Sequence, residues 1–175
     1  MAKNKTIITN AACDPEIVDV ARFLNKAGAK IHGAGTPDIV VEPVKRLKNI
    51  EYSVSGDRLV AGTFLCAAAI TGGKIEVTGC DPSHLTLVTH KLMEMGCHAD
   101  VTKNSLTIKG PKRPRPISVT TFPYPGFPTD LQASIMAVCC LSSGTSHIRE
   151  TVFKDRFSHT MELRRLGADV NVSSD

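Results

Sequence analysis

The 175-residue sequence has no tryptophan and only two tyrosines. It also lacks any apolar run near the length of about 20 residues that a membrane-spanning helix needs, and its first residues do not form a signal peptide. We therefore expect a cytoplasmic protein with no membrane partner. The apolar content of 42% is enough for a real core in one or two domains.

The excess of positive over negative charge is also small. The formal net charge is only +4, and the densest basic stretch, residues 112–115 (KRPR), lies in a proline-rich turn. No aromatic residues alternate with basic ones on a common face, so we expect no nucleic-acid partner. The opposite hypothesis, a nucleic-acid binder, predicts an affinity that depends strongly on salt.

The sequence also lacks Cys, His and Gly residues at the spacings typical of metal and cofactor sites. The six cysteines form no CxxC pair, and Cys66, Cys139 and Cys140 lie inside apolar runs, as is typical of core residues in a reducing compartment. No histidine is spaced from a cysteine or carboxylate as zinc ligands are. Gly33 and Gly35 lead from one strand into another rather than into a helix, which indicates a turn and not a dinucleotide site. We expect neither a metal nor a cofactor.

The strongest signal present is an internal repeat with a period of about 70 residues. An amphipathic helix that ends at a glycine and is followed by a strand occurs three times, with closing glycines Gly28, Gly96 and Gly167. The first two helices open with Asp-Pro, an N-cap followed by proline, at Asp14 and Asp81. Short strands are predicted before the three helices, at residues 5–9, 74–78 and 146–150.

Two further helices, residues 59–70 and 131–141, are apolar on nearly every side. We expect both to be central and buried. Paired strands are predicted at residues 30–32 with 39–41, and at 99–102 with 105–108. Together these elements make an α/β (α+β) fold built from repeated βαβαββ units.

A proline loop, residues 121–128 (TFPYPGFP), precedes the second of these helices. Its three prolines restrict the backbone to a stiff, extended path. Thr129 and Gln132 have the spacing of a capping box, so the loop is predicted to deliver Asp130 to the first turn of a buried helix. Asp130 either complements the helix dipole only or belongs to a functional site, and the costly loop before it favours a site.

The repeat units are out of register with the ends of the chain. The sequence starts at the second strand of one unit and stops one strand short of closing its last hairpin. Repeat folds need neighbouring units to cover their apolar faces. We therefore expect a segment of a longer protein, incomplete at both ends.

Three stretches closely resemble the enolpyruvyl transferase family, in its branch that acts on UDP-N-acetylglucosamine. They are residues 57–73 (DRLVAGTFLCAAAITGG), 123–132 (PYPGFPTDLQ) and 150–157 (ETVFKDRF). Together with residues 33–36 (GAGT) they span nearly the whole chain in the family's order. The resemblance implies the family's inside-out α/β barrel, in which residues 1–55 end one lobe and residues 56–175 begin the other.

The resemblance also implies a reaction and its participants. The family transfers enolpyruvyl from phosphoenolpyruvate to the 3-hydroxyl of UDP-N-acetylglucosamine, the first committed step of peptidoglycan synthesis. Carried over by motif, Asp130 is the catalytic and substrate-binding carboxylate that accepts a hydrogen bond from that hydroxyl. A helix N-terminus favours its ionised form, so orienting the hydroxyl is a better-supported role than full proton abstraction.

Four further residues are predicted to bind substrate by the same resemblance: Thr129, Val152, Phe153 and Arg156. Thr129 lies beside Asp130, with a helix cap as the alternative role. Val152 matches a position whose backbone contacts the sugar nucleotide, although a core valine would look the same. Arg156 is a candidate partner for phosphate or carboxylate groups, and the alternative is an arginine paired with an aspartate.

Several of the family's catalytic elements lie outside this sequence: a Lys-Asn pair, a loop cysteine and late arginines. None of the six cysteines occurs in the loop motif, so none is predicted to be catalytic. We therefore expect no transferase activity from this chain without the missing parts of the enzyme, which are its implied partners. Two alternatives stay open, an enzyme like 5-enolpyruvylshikimate 3-phosphate synthase and a non-catalytic sugar-nucleotide binding module.

Overall fold

A computed structural model describes residues 2–173, which divide into two compact units. The first comprises the described residues through Ser55 together with Pro123–Pro125. The second comprises Gly56–Phe122 and the described residues from Gly126 onward. The assignment of residues 1–55 and 56–175 to two enzyme lobes stays a prediction.

The first unit is a three-stranded antiparallel sheet with one helix. Its elements are β1 (Thr6–Ile8), α1 (Pro15–Lys26), β2 (Lys30–His32) and β3 (Ile39–Glu42), and the strand order is β1-β3-β2. The predicted pairing of β2 with β3 is confirmed, with Ile31 opposite Val41. Gly33 and Gly35 adopt positive φ in the connecting turn, which glycine tolerates without strain.

The second unit begins with the same arrangement, preceded by a long helix. The elements are α2 (Arg58–Thr71), β4 (Lys74–Thr78), a 3₁₀ turn (Pro82–Leu85), α3 (Thr86–Glu94), β5 (His98–Val101) and β6 (Ser105–Lys109). The strand order β4-β6-β5 repeats that of the first sheet, as the internal repeat predicts. The Asp57 carboxylate caps α2 by accepting from the Leu59 amide at 2.7 Å, and Asp81 accepts from the Ser83 amide at 2.9 Å.

The rest of the second unit contains β7 (Ser118–Thr120), a 3₁₀ turn (Thr129–Leu131), α4 (Gln132–Cys139), β8 (His147–Arg149) and α5 (His159–Arg165). Strands β7 and β8 pair in parallel. The strand predicted after Gly167 is wrong for residues 168–173, which form no strand. A strand needs a hydrogen-bonded neighbour, and the described residues place none beside this segment.

The core of the second unit lies between the helices and the β4-β6-β5 sheet. Its fully buried residues include Leu65, Leu92, Leu106, Leu131 and Ile135. Gly62 of α2 lies so close to the 3₁₀ turn at Thr129–Leu131 that a Cβ atom at position 62 would collide with the Leu131 side chain. The core thus fixes the turn that contains Asp130 against α2.

Helix α2 is buried on one face only, so the expectation of a central helix buried among its neighbours is met on that face alone. Ala61, Leu65 and Ala69 are buried, whereas Val60 and Phe64 are each 53% exposed. The reason is that an all-round apolar sequence shows which faces can be buried, while the elements of this unit cover only one of them. Among residues 2–173 no helix combines the length and apolarity that crossing a bilayer requires.

Candidate functional site

The proline loop closes on itself and is anchored at both ends. Its first and last parts meet where Thr121 bridges Phe127, and the Phe122 amide donates to the Phe127 carbonyl at 3.0 Å. Thr121 and Phe127 are both buried, and the Thr121 amide donates to the Arg149 carbonyl at 2.9 Å. The extended path predicted from the prolines is therefore wrong, because the loop folds back on itself through a turn at residues 124–125.

The capping box predicted at Thr129 and Gln132 is wrong. Thr129 lies inside the 3₁₀ turn rather than before it, and its hydroxyl donates to Glu150 Oε2 at 2.8 Å. In a capping box the hydroxyl would accept from the Gln132 backbone amide, but that amide donates to the Thr129 carbonyl instead. The hydroxyl's bond to the Glu150 carboxylate is charge-assisted. The Gln132 side chain is fully buried, and its amide has no hydrogen-bond partner among residues 2–173.

Asp130 lies at the surface of this turn and is paired with Arg156. Arg156 Nη2 lies 2.5 Å from Asp130 Oδ1, and the two side chains are 36% and 51% exposed, respectively. The Arg156 guanidinium also lies over the Phe153 ring, with Cζ 5.0 Å from the ring centroid. The aspartate-paired alternative for Arg156 is thus the arrangement seen, and it places Arg156 beside the predicted catalytic carboxylate.

Glu150 joins these residues, and sequence reasoning missed it. Its Oε1 accepts from the backbone amides of Val152 at 2.8 Å and Phe153 at 3.1 Å, while Oε2 accepts from Thr129. Burial would raise the pKa of the Glu150 carboxyl, but hydrogen bonds from Thr129, Val152, Thr121 and Phe153 together lower it. Glu150 is therefore held ionised at the centre of the site.

The structure brings together all five residues that the sequence singled out, namely Thr129, Asp130, Val152, Phe153 and Arg156. Two segments supply them, the 3₁₀ turn after the proline loop and the loop after β8, and both belong to the second unit. The arrangement presents an exposed carboxylate, a guanidinium and an aromatic face side by side. Such a set suits a polar, anionic ligand with hydroxyl groups. Within residues 2–173 no cluster of His, Cys, Asp or Glu is arranged to hold a metal ion.

A family model described as EPSP synthase (3-phosphoshikimate 1-carboxyvinyltransferase) matches residues 1–175. Two curated relatives have the name UDP-N-acetylglucosamine 1-carboxyvinyltransferase. The protein from Trichlorobacter lovleyi is 47% identical over 175 residues, which is 100% of this chain and 42% of that protein. The protein from Pasteurella multocida is 50% identical over 176 aligned residues, 100% of this chain and 41% of that protein. The chain thus spans about two-fifths of the length of these relatives.

Two solved structures share the fold. The enolpyruvyl transferase NikO from Streptomyces tendae aligns with a TM-score of 0.83 and 24% identity, covering 98% of this chain and 41% of that one. EPSP synthase from Acinetobacter baumannii aligns with a TM-score of 0.61 and 20% identity, covering 94% of this chain and 39% of that one. At these identities the likeness concerns the fold, and it confirms the predicted α/β fold of the enolpyruvyl transferases.

Proposed function

This chain belongs to the EPSP synthase family, and from that premise we propose that it is a segment of an enzyme that transfers enolpyruvyl from phosphoenolpyruvate to the 3-hydroxyl of UDP-N-acetylglucosamine. The observation that supports this proposal is the identity of 47% and 50%, across the whole chain, with relatives named for that substrate. The geometry agrees with it, because the residues implied by the family resemblance form one cluster.

In the proposed reaction the hydroxyl oxygen of the sugar forms a bond to the enolpyruvyl carbon of phosphoenolpyruvate that carries the phosphate. The bond from that carbon to the phosphate oxygen breaks, and phosphate leaves with the proton that the hydroxyl gave up. Asp130 orients the hydroxyl by accepting its hydrogen bond. Asp130 is paired with the Arg156 guanidinium, and a carboxylate has acceptor sites left for the sugar hydroxyl when it is in such a pair.

The neighbouring groups have proposed roles that follow from their contacts. The Val152 amide already donates to Glu150, so its carbonyl is the backbone group that would accept from a sugar nucleotide. Phe153 is 53% exposed and offers an aromatic face beside the guanidinium. Arg156, part-exposed, would neutralise a ligand phosphate or carboxylate, and Thr129 holds the turn that presents Asp130.

The wider setting follows from the same proposal. Peptidoglycan synthesis, and with it cell-wall growth, cell shape and cell division, would depend on this reaction in the cytoplasm, where nucleotide sugars and phosphoenolpyruvate are made. Residues 1–55 would belong to one lobe of the enzyme and residues 56–175 to the other. The remaining parts of the enzyme would be the partners of this segment and would supply its missing catalytic groups.

The substrate is tested first on the 175-residue chain by following its amide NMR signals during titration with UDP-N-acetylglucosamine. We expect shifts clustered at residues 129–131 and 150–156, and no such cluster with shikimate 3-phosphate. The reverse preference would favour the enzyme that makes 5-enolpyruvylshikimate 3-phosphate. Shifts spread over the whole surface would contradict the proposed site.

Catalysis is tested in a chimera in which this chain replaces the matching segment of the Pasteurella multocida relative. We expect phosphate release from phosphoenolpyruvate that requires UDP-N-acetylglucosamine, and none from the 175-residue chain alone. A chimera that binds UDP-N-acetylglucosamine but releases no phosphate would favour a non-catalytic binding module. Phosphate release by the chain alone would overturn the dependence on missing parts.

A further inference from the structure

The two oxygens of the Glu150 carboxylate face different parts of the site. Oε2 accepts from the Thr129 hydroxyl at 2.8 Å, and Thr129 is the residue directly before Asp130. Oε1 accepts from the backbone amides of Val152 and Phe153, which begin the loop that ends at Arg156. One side chain thus links the turn that carries the candidate catalytic carboxylate to the loop that carries its cationic partner.

The ion pair between Asp130 and Arg156 is too exposed to set this arrangement by itself. Its two side chains are 51% and 36% exposed, and pairs in such positions add little to the order of the groups they join. The positions of both residues must therefore come from the backbone beneath them. The hydrogen bonds of Glu150 are charge-assisted, and those from Thr129 and Val152 are partly buried, which makes them the stronger constraint.

A second connection holds the Glu150 segment to the base of the proline loop. The Thr151 amide donates to Thr121 Oγ1 at 3.0 Å, and the Thr151 hydroxyl donates to the Thr121 carbonyl. Thr121 is fully buried and is the first residue of that loop. The start of the proline loop is therefore held by Thr151 and its far end by Glu150, through Thr129.

From this geometry we propose that Glu150 is a positioning residue, which holds Asp130 in the orientation that the 3-hydroxyl of the sugar requires without touching substrate itself. The proposal rests on the proposed function for its substrate. Its structural content, that Glu150 controls the order of Asp130, is separate and is tested without ligand.

The test compares variants of the 175-residue chain by NMR. In Glu150→Ala we expect the Asp130 signals to shift and the backbone order parameters of residues 129–131 to fall. Glu150→Gln should restore most of that order, because the amide oxygen still accepts from the loop amides and the amide nitrogen can donate to the Thr129 hydroxyl. Glu162→Gln is the matched control, since it removes an exposed carboxylate whose ion pair is with Arg165 on the same helix, outside the candidate site.

A pH titration provides a signature that a general loss of structure would not produce. The amide protons of Val152 and Phe153 donate to Glu150, so their shifts should follow its titration in the wild-type chain and become flat in Glu150→Gln. Thr129→Val removes only the link to the turn. It should disorder Asp130 as Glu150→Ala does, while the amide shifts of Val152 and Phe153 still change with pH as they do in the wild-type chain.

The ligand experiment separates this inference from the proposed function. If the chain binds UDP-N-acetylglucosamine, Thr129→Val and Glu150→Ala should weaken binding about tenfold or more, the usual effect of losing a hydrogen bond to a charged group. If neither the wild-type chain nor the chimera binds it, the proposed function fails and the order of Asp130 still decides the role of Glu150. Unchanged Asp130 signals and order in a folded Thr129→Val or Glu150→Ala chain would overturn the proposal.

Discussion

Replacing Asp130 should impair ligand binding far more than it impairs folding. Asp130→Asn removes the negative charge and keeps a similar shape, and Asp130→Ala removes the acceptor altogether. The structure allows the two effects to be weighed separately, because the Asp130 carboxylate is stabilised by an exposed ion pair with Arg156.

The expected loss of stability is small. The two side chains of the pair are 51% and 36% exposed, and ion pairs at such positions contribute about 0–1 kcal/mol. A carboxylate in the first turn of a helical segment adds about 0.3–1 kcal/mol through the helix dipole. Loss of both is at most about 2 kcal/mol, against the roughly 5–15 kcal/mol that keeps a domain folded. Both variants should therefore remain folded.

The expected loss of function is larger. A hydrogen bond from a hydroxyl to a charged acceptor contributes about 1.5–3 kcal/mol, which corresponds to roughly 10- to 150-fold in affinity. If Asp130 only orients the sugar hydroxyl, kcat/KM of the chimera should fall by about that factor in Asp130→Ala. If Asp130 were also the general base, the fall should include a further factor of about 10² to 10⁴.

Urea unfolding of the chain and steady-state kinetics of the chimera measure the two quantities. Glu162→Gln is again the control, since it breaks a comparable exposed ion pair with Arg165, with atoms 2.9 Å apart, outside the candidate site. The reasoning is refuted if Asp130→Asn lowers the free energy of unfolding by clearly more than about 2 kcal/mol and binding declines only as far as the folded fraction of the chain does. That result would make Asp130 a structural residue of the turn.

Three further predictions concern the second unit. Gly110→Ala should destabilise the chain by about 1–3 kcal/mol in urea unfolding, because a Cβ atom there would collide with a backbone carbonyl in the last turn of α2. An unchanged free energy of unfolding would contradict this close packing. Burial raises the pKa of Cys66 to about 12 and that of Cys97 to about 11. Neither thiol should therefore react with a disulfide reagent at about pH 8 until the chain unfolds. Rapid reaction in the native state would show that this core opens. The pKa of Glu150 is lowered in the folded chain, so its contribution is present above the unfolded-state value of about 4.3 and is lost as pH falls through the folded-state value. Wild type should therefore exceed Glu150→Gln in stability at neutral pH, and a difference that persists unchanged in acid would contradict that sign.

The elements that the sequence predicts well are those whose signals are local. Strand β4 has the predicted bounds, the predicted cap Asp81 accepts from the Ser83 amide, and the predicted closing glycine Gly96 after α3 has a positive φ. A capping carboxylate and a C-terminal glycine act on backbone groups within a few residues, so their effect can be recognised without knowledge of the fold. The pairing of β5 with β6 is predictable for the same reason.

Features decided by distant residues could not be predicted in this way. The Thr129 hydroxyl has a local option, the cap of its own helix, and a distant one, the carboxylate of Glu150, 21 residues later. Only the fold brings that acceptor within reach, where the hydroxyl donates to it in a charge-assisted hydrogen bond. The exposure of Phe64 on α2 has a similar origin, since an apolar pattern does not show which neighbours will cover it.

The site also illustrates why Asp130 is recognisable in the sequence and Glu150 is not. A group that binds ligand has to be exposed, and exposure makes its own contacts weak, so its position depends on neighbours that need not touch the ligand. Glu150 meets that description, because hydrogen-bond donors surround its partly buried carboxylate and keep it ionised. Substitution at Asp130 should therefore impair binding and leave folding intact, whereas substitution at Glu150 should impair both, because the same hydrogen bonds that stabilise the loop orient the carboxylate beside it.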